Sequence, residues 1–526
     1  MVGQKASRRK CKVVTFAVVL RLSAVVIGVS SAAGCAPSEG SGPDATARAA
    51  SVTVLSKQLE RRVPALMERY DIPGATVAVV EDGELRWTAA WGYADLEEKR
   101  PMTPRAICRA ESISKSVTAW GVMRLVEAGR IDLDAPVARY LDSVDIPPGS
   151  FSPQAVTVRR LLSNTSGLPL GTVGPAVEYR PGTPMPQKAA YLGEETELVQ
   201  EPGSGFNYSN VGFNLLELVV ENVTGRSFDS YMKEEVLGPL GMHSASYAWE
   251  EGMAEVMPTG YELDGTPVPP YVYPVAGSGG LFANVEDLAA FVAASGVGSP
   301  AGVLSPEGVE LLHTPVVEVP GLFGLAADAY ALGHFTETLP DGRRAVWHGG
   351  QGHGWMTHFH AIPESGDGIV ILTNSQRSWP FMAFVLTDWA RWSGAGRVDF
   401  GRIVWGSRAV RAAIVILVLA SLAQVYRLGR DTLRGRRRLS PFSTARRGVR
   451  GFEAAVGAAI IGGLGWAVSQ PYIFLSWIFP ATTPLAGCAL LLGALVLLAS
   501  AGLPHPGKGS PRRGPGLPRR KEGDTR

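Results

Sequence analysis

Ser112, Ile113, Ser114 and Lys115 set a hydroxyl and an amine three residues apart, a spacing that on a helix puts both side chains on one face about one turn apart. If the serine opens such a helix, the helix N-terminus favours its developing alkoxide. A lysine kept neutral by burial can then take the proton. Tyr208-Ser209-Asn210 adds a phenol and an amide two residues apart; the phenol can share or relay the proton, and the amide can bind substrate or Lys115. His348-Gly349-Gly350 adds a side chain for the site and glycines that let backbone approach a ligand. Each motif alone is weak. Ser7-Arg8-Arg9-Lys10 has the same serine–lysine spacing in an unrelated context, a Tyr-x-Asn is commonly a core edge beside a cap, and a His before glycines is commonly a turn. All three in this order, about 100 and about 140 residues apart, point to acyl transfer by a serine nucleophile.

The elements that must position these residues follow from periodicity. Val52 to Arg69 repeats helically, and the segment around Asp82-Gly83 alternates apolar and polar residues about a hairpin turn pair. Ile113 to Ala128, Gly212 to Asn222 and Val285 to Ala294 read as helices, the last capped by Asn284. HFHAIPESGDGIVILTNS reads as a strand, a turn at Ser365 to Gly368 and a second strand. Strands at both ends of a mainly helical middle predict an α+β domain over residues 52–391: an antiparallel sheet built from both termini, flanked by helices, with an inserted helical subdomain.

With these motifs and the stretches WGYADLE, ESISKSVTAWGVMRLVEAGRIDLDAPVARYL, VRRLLSNTSGLP, PGSGFNYSNVGFNLLELV, GSGGLFANVEDLAAF and HGGQGHGWMTHFHAIPESGDGIVILTN, the chain resembles the serine β-lactamase and penicillin-binding-protein superfamily. The similarity is strongest to the branch of class C β-lactamases, D-alanyl-D-alanine carboxypeptidases and related esterases. The resemblance implies a β-lactamase/transpeptidase-like fold and an acyl-enzyme on Ser112. It implies that Lys115 and Tyr208 exchange the serine proton, and that Asn210 positions substrate alongside His348, Gly349 and Gly350. The oxyanion hole it implies consists of the backbone N–H groups of Ser112 and Gln351. His348 stands where β-lactamases of this branch carry Lys in a K-T-G triplet, and a neutral imidazole attracts a ligand carboxylate weakly. The resemblance marks Ser163 to Gly167 as a structural loop. A different reading of the same cleft is a non-catalytic ligand-binding or sensory protein, and a narrower one is a true class C-like β-lactamase.

The two ends carry the remaining length. Lys5, Arg8, Arg9, Lys10 and Lys12 precede an apolar run from Val13 to Val29 and then SSAAGC, the order of a secretory signal over residues 1–35. Cys35 resembles the lipidated cysteine of a bacterial lipoprotein box, in which Leu usually stands at the place of Ala32. Residues 36–51 have the composition of a tether. Three apolar stretches, 409–426, 454–479 and 484–503, each approach the roughly 20 residues that cross a bilayer. The connector 427–450 is rich in arginine and the tail 504–526 is basic, which places both in the cytoplasm and everything before the first crossing outside it. The expected location is thus the bacterial cell membrane, multi-pass, with the catalytic domain on the extracytoplasmic side. Gly457, Gly462, Gly463 and Gly465 on the second stretch permit close helix packing, and with it self-association.

A net charge of +2 over 526 residues gives no reason to expect a nucleic-acid partner. Of the cysteines 11, 35, 108 and 488, only Cys108 lies in the long soluble stretch, so neither a disulfide nor a cysteine metal site is expected there. His353, His358 and His360 are not expected to form a metal site either, since no carboxylate pattern completes one. No cofactor is expected. The expected partners are a small-molecule or peptide substrate and the lipid bilayer.

Overall fold

In the computed structural model, residues 51–296, 302–321, 323–437, 439, 447–469, 478–479 and 482–503 are described. The expected signal, nearly all of the tether and the basic tail lie outside the described residues.

Helix α1 (Val52–Tyr70) buries Leu55, Leu59, Val63, Leu66, Met67 and Tyr70, one stripe of a 3.6-residue repeat. Strands β1 (Gly74–Glu81) and β2 (Glu84–Asp95) follow. Asp82 and Gly83 between them both have positive φ, 55° and 73°, the backbone twist that a two-residue hairpin turn needs. After β3 (Arg100–Pro101) the chain leaves the sheet for helices α2 (Ile113–Glu127), α3 (Asn210–Thr224) and α4 (Val285–Ala294). A capping box of Asn284 and Asp287 starts α4. The chain returns as β4 (Val317–Glu318), β5 (Ala329–Tyr330), β6 (Phe335–Thr338), β7 (Arg344–Gly352), β8 (Trp355–Ile362) and β9 (Asp367–Thr373), followed by α5 (Trp379–Trp392). The nine strands are ordered β3-β2-β1-β9-β8-β7-β6-β5-β4, and the register Ala75↔Thr373 through Val80↔Gly368 closes the sheet antiparallel between its two sequence ends.

Both faces of this sheet are covered, which is why residues 369–372 of β9 form an unbroken apolar run. Val370 and Leu372 point into a core shared with α2, α3 and α4. Ile369 and Ile371 point into a second core shared with α1 and α5. The second core continues past residue 391 to Phe400 and Val404, because the turn Asp399–Gly401 folds Phe400 against Trp379 and His358.

Three helices follow that are long and apolar enough to cross a membrane: α6 (Arg402–Leu433), α7 (Arg447–Val468) and α8 (Thr483–Gly502). Helix α6 outruns its apolar stretch at both ends, since arginine propagates a helix nearly as well as leucine. Helices α7 and α8 pack together at Gly457, where a Cβ would press on Ala494 O and Leu498. Around Gly462, Gly463 and Gly465 there is open space.

Candidate active site

Ser112 occupies the position immediately before the first residue of α2. The residue before it, Glu111, is held at φ 50°, a left-handed conformation that non-glycine residues adopt rarely. One turn into the helix, Lys115 is fully buried. Its Nζ lies 3.1 Å from Ser112 Oγ, 2.8 Å from Asn210 Oδ1 and 2.8 Å from the Ser278 carbonyl oxygen. The amide and carbonyl oxygens can only accept. A neutral amine therefore donates its two N–H groups to them and turns its lone pair toward the Ser112 hydroxyl. Burial pushes the Lys115 pKa down to about 7, against a smaller opposing pull from Glu111.

The acceptors around Lys115 are set by one face of α3. Asn210 accepts from Lys115, Asn214 Oδ1 accepts from Ser278 N–H at 3.1 Å, and Glu217 Oε2 accepts from Gly277 N–H at 2.7 Å. These positions are i, i+4 and i+7, so a single helical stripe holds both the lysine and the loop 276–279 that supplies its third contact. Ser209 caps α3 by accepting from Gly212 N–H. Asn164, at φ 54° in the loop 163–167, fixes the flanks of Tyr208: its carbonyl accepts from Asn207 N–H at 2.7 Å and its Oδ1 from Ser209 N–H at 3.0 Å. The Tyr208 ring lies 4.9 Å from Lys115 Nζ and runs nearly parallel to the rings of Phe323 and Phe335, with centroids 5.9 and 6.3 Å away.

Strand β7 forms the other wall. His348 is 1% exposed. Its Nδ1–H donates to Gly349 O at 2.9 Å, which leaves Nε2 to accept from the Tyr330 hydroxyl at 3.3 Å. Burial, with Lys115 close by, holds its pKa well below the ordinary histidine value, so His348 is a neutral group. The steric need for glycine falls on Gly350 and Gly352. A Cβ on Gly350 would collide with Thr357 and Ala110, and one on Gly352 with the Glu111 carboxylate, whereas at Gly349 a Cβ would meet only ordinary contacts. Through Gly350 and Gly352, β7 passes close to the turn 110–111 that immediately precedes Ser112. The Gln351 side chain is turned to Trp379, whose Nε1–H donates to it at 3.2 Å.

Motif reading missed the residues beneath Ser112. Glu111, 3% exposed, accepts from Arg109 Nε–H at 2.7 Å, Tyr271 O–H at 2.9 Å and Tyr273 O–H at 3.1 Å. Arg109, fully buried, also donates to Tyr271 O at 2.6 Å and lies over the Tyr271 ring at 4.0 Å. This cluster ties the turn before Ser112 to the loop 271–279. Tyr330, the partner of His348, was missed as well. The spacing of Asn210, Asn214 and Glu217 along the otherwise apolar start of α3, residues 210–220, was the available signal for the stripe; Tyr271, Tyr273 and Tyr330 gave none.

The family model Beta-lactamase matches residues 59–388, the sheet and everything inserted in it. The chain belongs to the Beta-lactamase family. Protein flp of Staphylococcus aureus (strain N315) is 27% identical to it over 323 residues, 60% of this chain and 63% of that protein. A D-aminopeptidase of Gluconobacter oxydans (strain 621H) is 29% identical over 332 residues, 61% of this chain and 59% of that protein. The match thus spans about three-fifths of the length of these relatives. The octameric penicillin-binding protein homologue from Pyrococcus abyssi superposes with a TM-score of 0.56 at 26% identity, covering 65% of this chain and 78% of that one. The expected β-lactamase/transpeptidase-like fold is therefore the fold observed, and the chain stands in a family of serine hydrolases.

His353, His358 and His360 of this Beta-lactamase domain are held by partners other than Ser112 and Lys115. His353, in the turn after β7, sits between Glu178 at 2.8 Å and Glu262 at 2.9 Å, and the two carboxylates raise its pKa to about 9. His358 and His360 share one face of β8, as alternation requires, and are buried against Trp347, with His360 3.1 Å from Glu337.

Proposed function

We propose that this chain is an extracytoplasmic, membrane-anchored serine hydrolase that cleaves an amide, ester or lactam through an acyl-enzyme on Ser112. The observation that carries the reading is the Lys115 amine, buried, 3.1 Å from Ser112 Oγ, with carbonyl acceptors for its two N–H groups. In this mechanism Lys115 takes the serine proton as Ser112 attacks the carbonyl carbon, and the developing alkoxide is favoured at the start of α2. The oxyanion of the tetrahedral intermediate is received by the N–H groups of Ser112 and Gln351. Lys115 and Tyr208 return the proton to the leaving group, and Tyr208 then helps activate the water that releases the acyl group. Asn210 orients both Lys115 and the substrate amide.

The substrate we infer is a D-amino-acid peptide of the cell wall or a small ester, rather than a penicillin. A neutral His348, spending Nδ1–H on Gly349 O, offers no cation to a lactam carboxylate. The D-aminopeptidase relative supports a D-configured peptide among these candidates. The placement we propose has a signal over 1–35 with Cys35 as lipidation site, a tether over 36–51, a catalytic domain over 52–391, three crossings within 409–503, and a cytoplasmic connector 427–450 and tail 504–526.

Labelling of the full chain with a fluorophosphonate and with a fluorescent penicillin, beside Ser112→Ala, tests this. Fluorophosphonate labelling lost in the variant is the expected result. No labelling of folded wild type by either probe would replace the hydrolase with a binding or sensory protein.

A further inference from the structure

Away from the Ser112 cleft, a cavity of about 260 Å³ opens where the catalytic domain meets the first apolar helix. Four arginines line it: Arg62 and Arg69 from α1, and Arg408 and Arg411 from α6. Helix α6 presents Val404, Ser407, Arg408 and Arg411 to it, the i, i+3, i+4, i+7 face of that helix. Tyr70 and Phe384 supply apolar wall.

The charge is one-sided. Arg62 is ion-paired with the buried Asp388. Arg69, Arg408 and Arg411 make no ion pair among the described residues; Arg69 lies over the rings of Tyr70 at 5.6 Å and Phe384 at 5.9 Å, and Arg408 over Trp405 at 5.1 Å. Three arginines thus line one cavity with no ion-pair partner among the described residues, and a small anion held in that cavity would offset their mutual repulsion. Guanidinium is also the side chain that binds phosphate bidentately.

Position identifies the source of the phosphate. Between Arg411 and Arg427 helix α6 has no charged residue, so Arg408 and Arg411 stand one turn apart at the end of an apolar span. Trp405, one turn further toward the domain, is 70% exposed, and tryptophan exposed at the end of an apolar span is characteristic of a residue at headgroup level. We propose that this cavity binds the phosphate headgroup of an anionic membrane lipid, docking the catalytic domain against the bilayer surface. The proposal rests on the reading that α6 crosses a membrane and is independent of the chemistry at Ser112.

The test uses full-length protein purified in neutral detergent and stripped of lipid, titrated with short-chain phosphatidylglycerol, the matching uncharged diacylglycerol, and inorganic phosphate. Bound equivalents are counted by native mass spectrometry. Wild type is expected to take up one equivalent of phosphatidylglycerol saturably, and Arg408→Gln/Arg411→Gln to bind it at least tenfold more weakly at an unchanged thermal unfolding midpoint. Arg69→Gln, on a different helix, should weaken binding too, which guards against a local defect in α6. Equal binding of the uncharged diacylglycerol, or binding indifferent to both variants, overturns the proposal. Phosphate binding as tight as phosphatidylglycerol also overturns it, by giving the site to a soluble oxyanion. Release of the chain from membranes by alkaline carbonate without detergent would instead remove the membrane reading beneath it, an outcome distinct from the others.

Discussion

Arg109 and Lys115 are two fully buried cationic side chains six residues apart, and their surroundings send them to opposite states. Arg109 faces a carboxylate, Glu111, at 2.7 Å and stays charged. Lys115 faces a hydroxyl, an amide oxygen and a backbone carbonyl, and its proton affinity falls until half the amine is free near neutral pH. Desolvation acts on both, and the deciding difference is whether a negative charge compensates it. The hydrolysis proposed above needs the second state at Lys115 and the first in the scaffold beneath it.

The largest effect expected comes from removing the base. Lys115→Met should lower kcat/KM on a reporter ester by a factor of at least 10³ while leaving the circular dichroism spectrum unchanged; activity within tenfold of wild type would remove Lys115 from the mechanism. Tyr208→Phe should slow turnover by about 10²-fold, within the usual range for a positioned acid–base group, and a stopped-flow burst should show whether deacylation is the slowed step. Glu111→Gln breaks the scaffold pair and leaves Arg109 uncompensated, a loss of about 3–5 kcal/mol for a buried ion pair missing one partner, readable as a lower denaturant midpoint. Asn210→Asp gives Lys115 the carboxylate that Arg109 already has. In wild type, kcat/KM should rise with pH through about 7, because the deprotonated amine is the active form; in Asn210→Asp that rise should move upward by about one pH unit or more, a shift worth about 1.4 kcal/mol. An unmoved profile would mean that Lys115 is not the group titrating. The smallest effect belongs to His353, another charged partner of carboxylates. Its folded pKa, about 9, lies above the unfolded value, so its contribution is complete below about pH 6.5 and is lost as pH rises through 9. Hydrogen exchange of residues 175–180 should therefore differ between wild type and His353→Gln at pH 7, modestly because the pair is partly exposed, and converge at pH 10.

The fold was legible because its strongest elements are periodic: the hairpin about Asp82-Gly83, the helix after Ser112, and the Asn284 cap all lie where the pattern puts them. Two boundaries were not. The second core runs on to Phe400 and Val404, since a turn of three residues carries no periodicity, and α6 passes through its flanking arginines, which a hydropathy reading ends too early. At the site, groups within three residues of each other were recoverable as motifs. Tyr271, Tyr273 and Tyr330 reach it from loop positions and a two-residue strand more than a hundred residues from Ser112, and a single tyrosine in such a segment has nothing in its neighbours to single it out. Glu111 was adjacent to Ser112 and still illegible, because its role comes from a backbone turn that brings its carboxylate against Gly352 of β7.

The pairing of β1 with β9 joins residues 75 and 373, and it carries a cost during export under the topology proposed above. A chain threaded through a membrane N-terminus first delivers β1 to the far side some three hundred residues before its partner. Through most of translocation the emerging segment has a β-hairpin with one bare edge, the kind of surface that recruits other chains. The sheet can close only as the first apolar helix enters the translocation pore, so anchoring and completion of the domain become nearly simultaneous. A pause that exposes β9 before α6 engages should favour the folded state, and one placed earlier should favour aggregation.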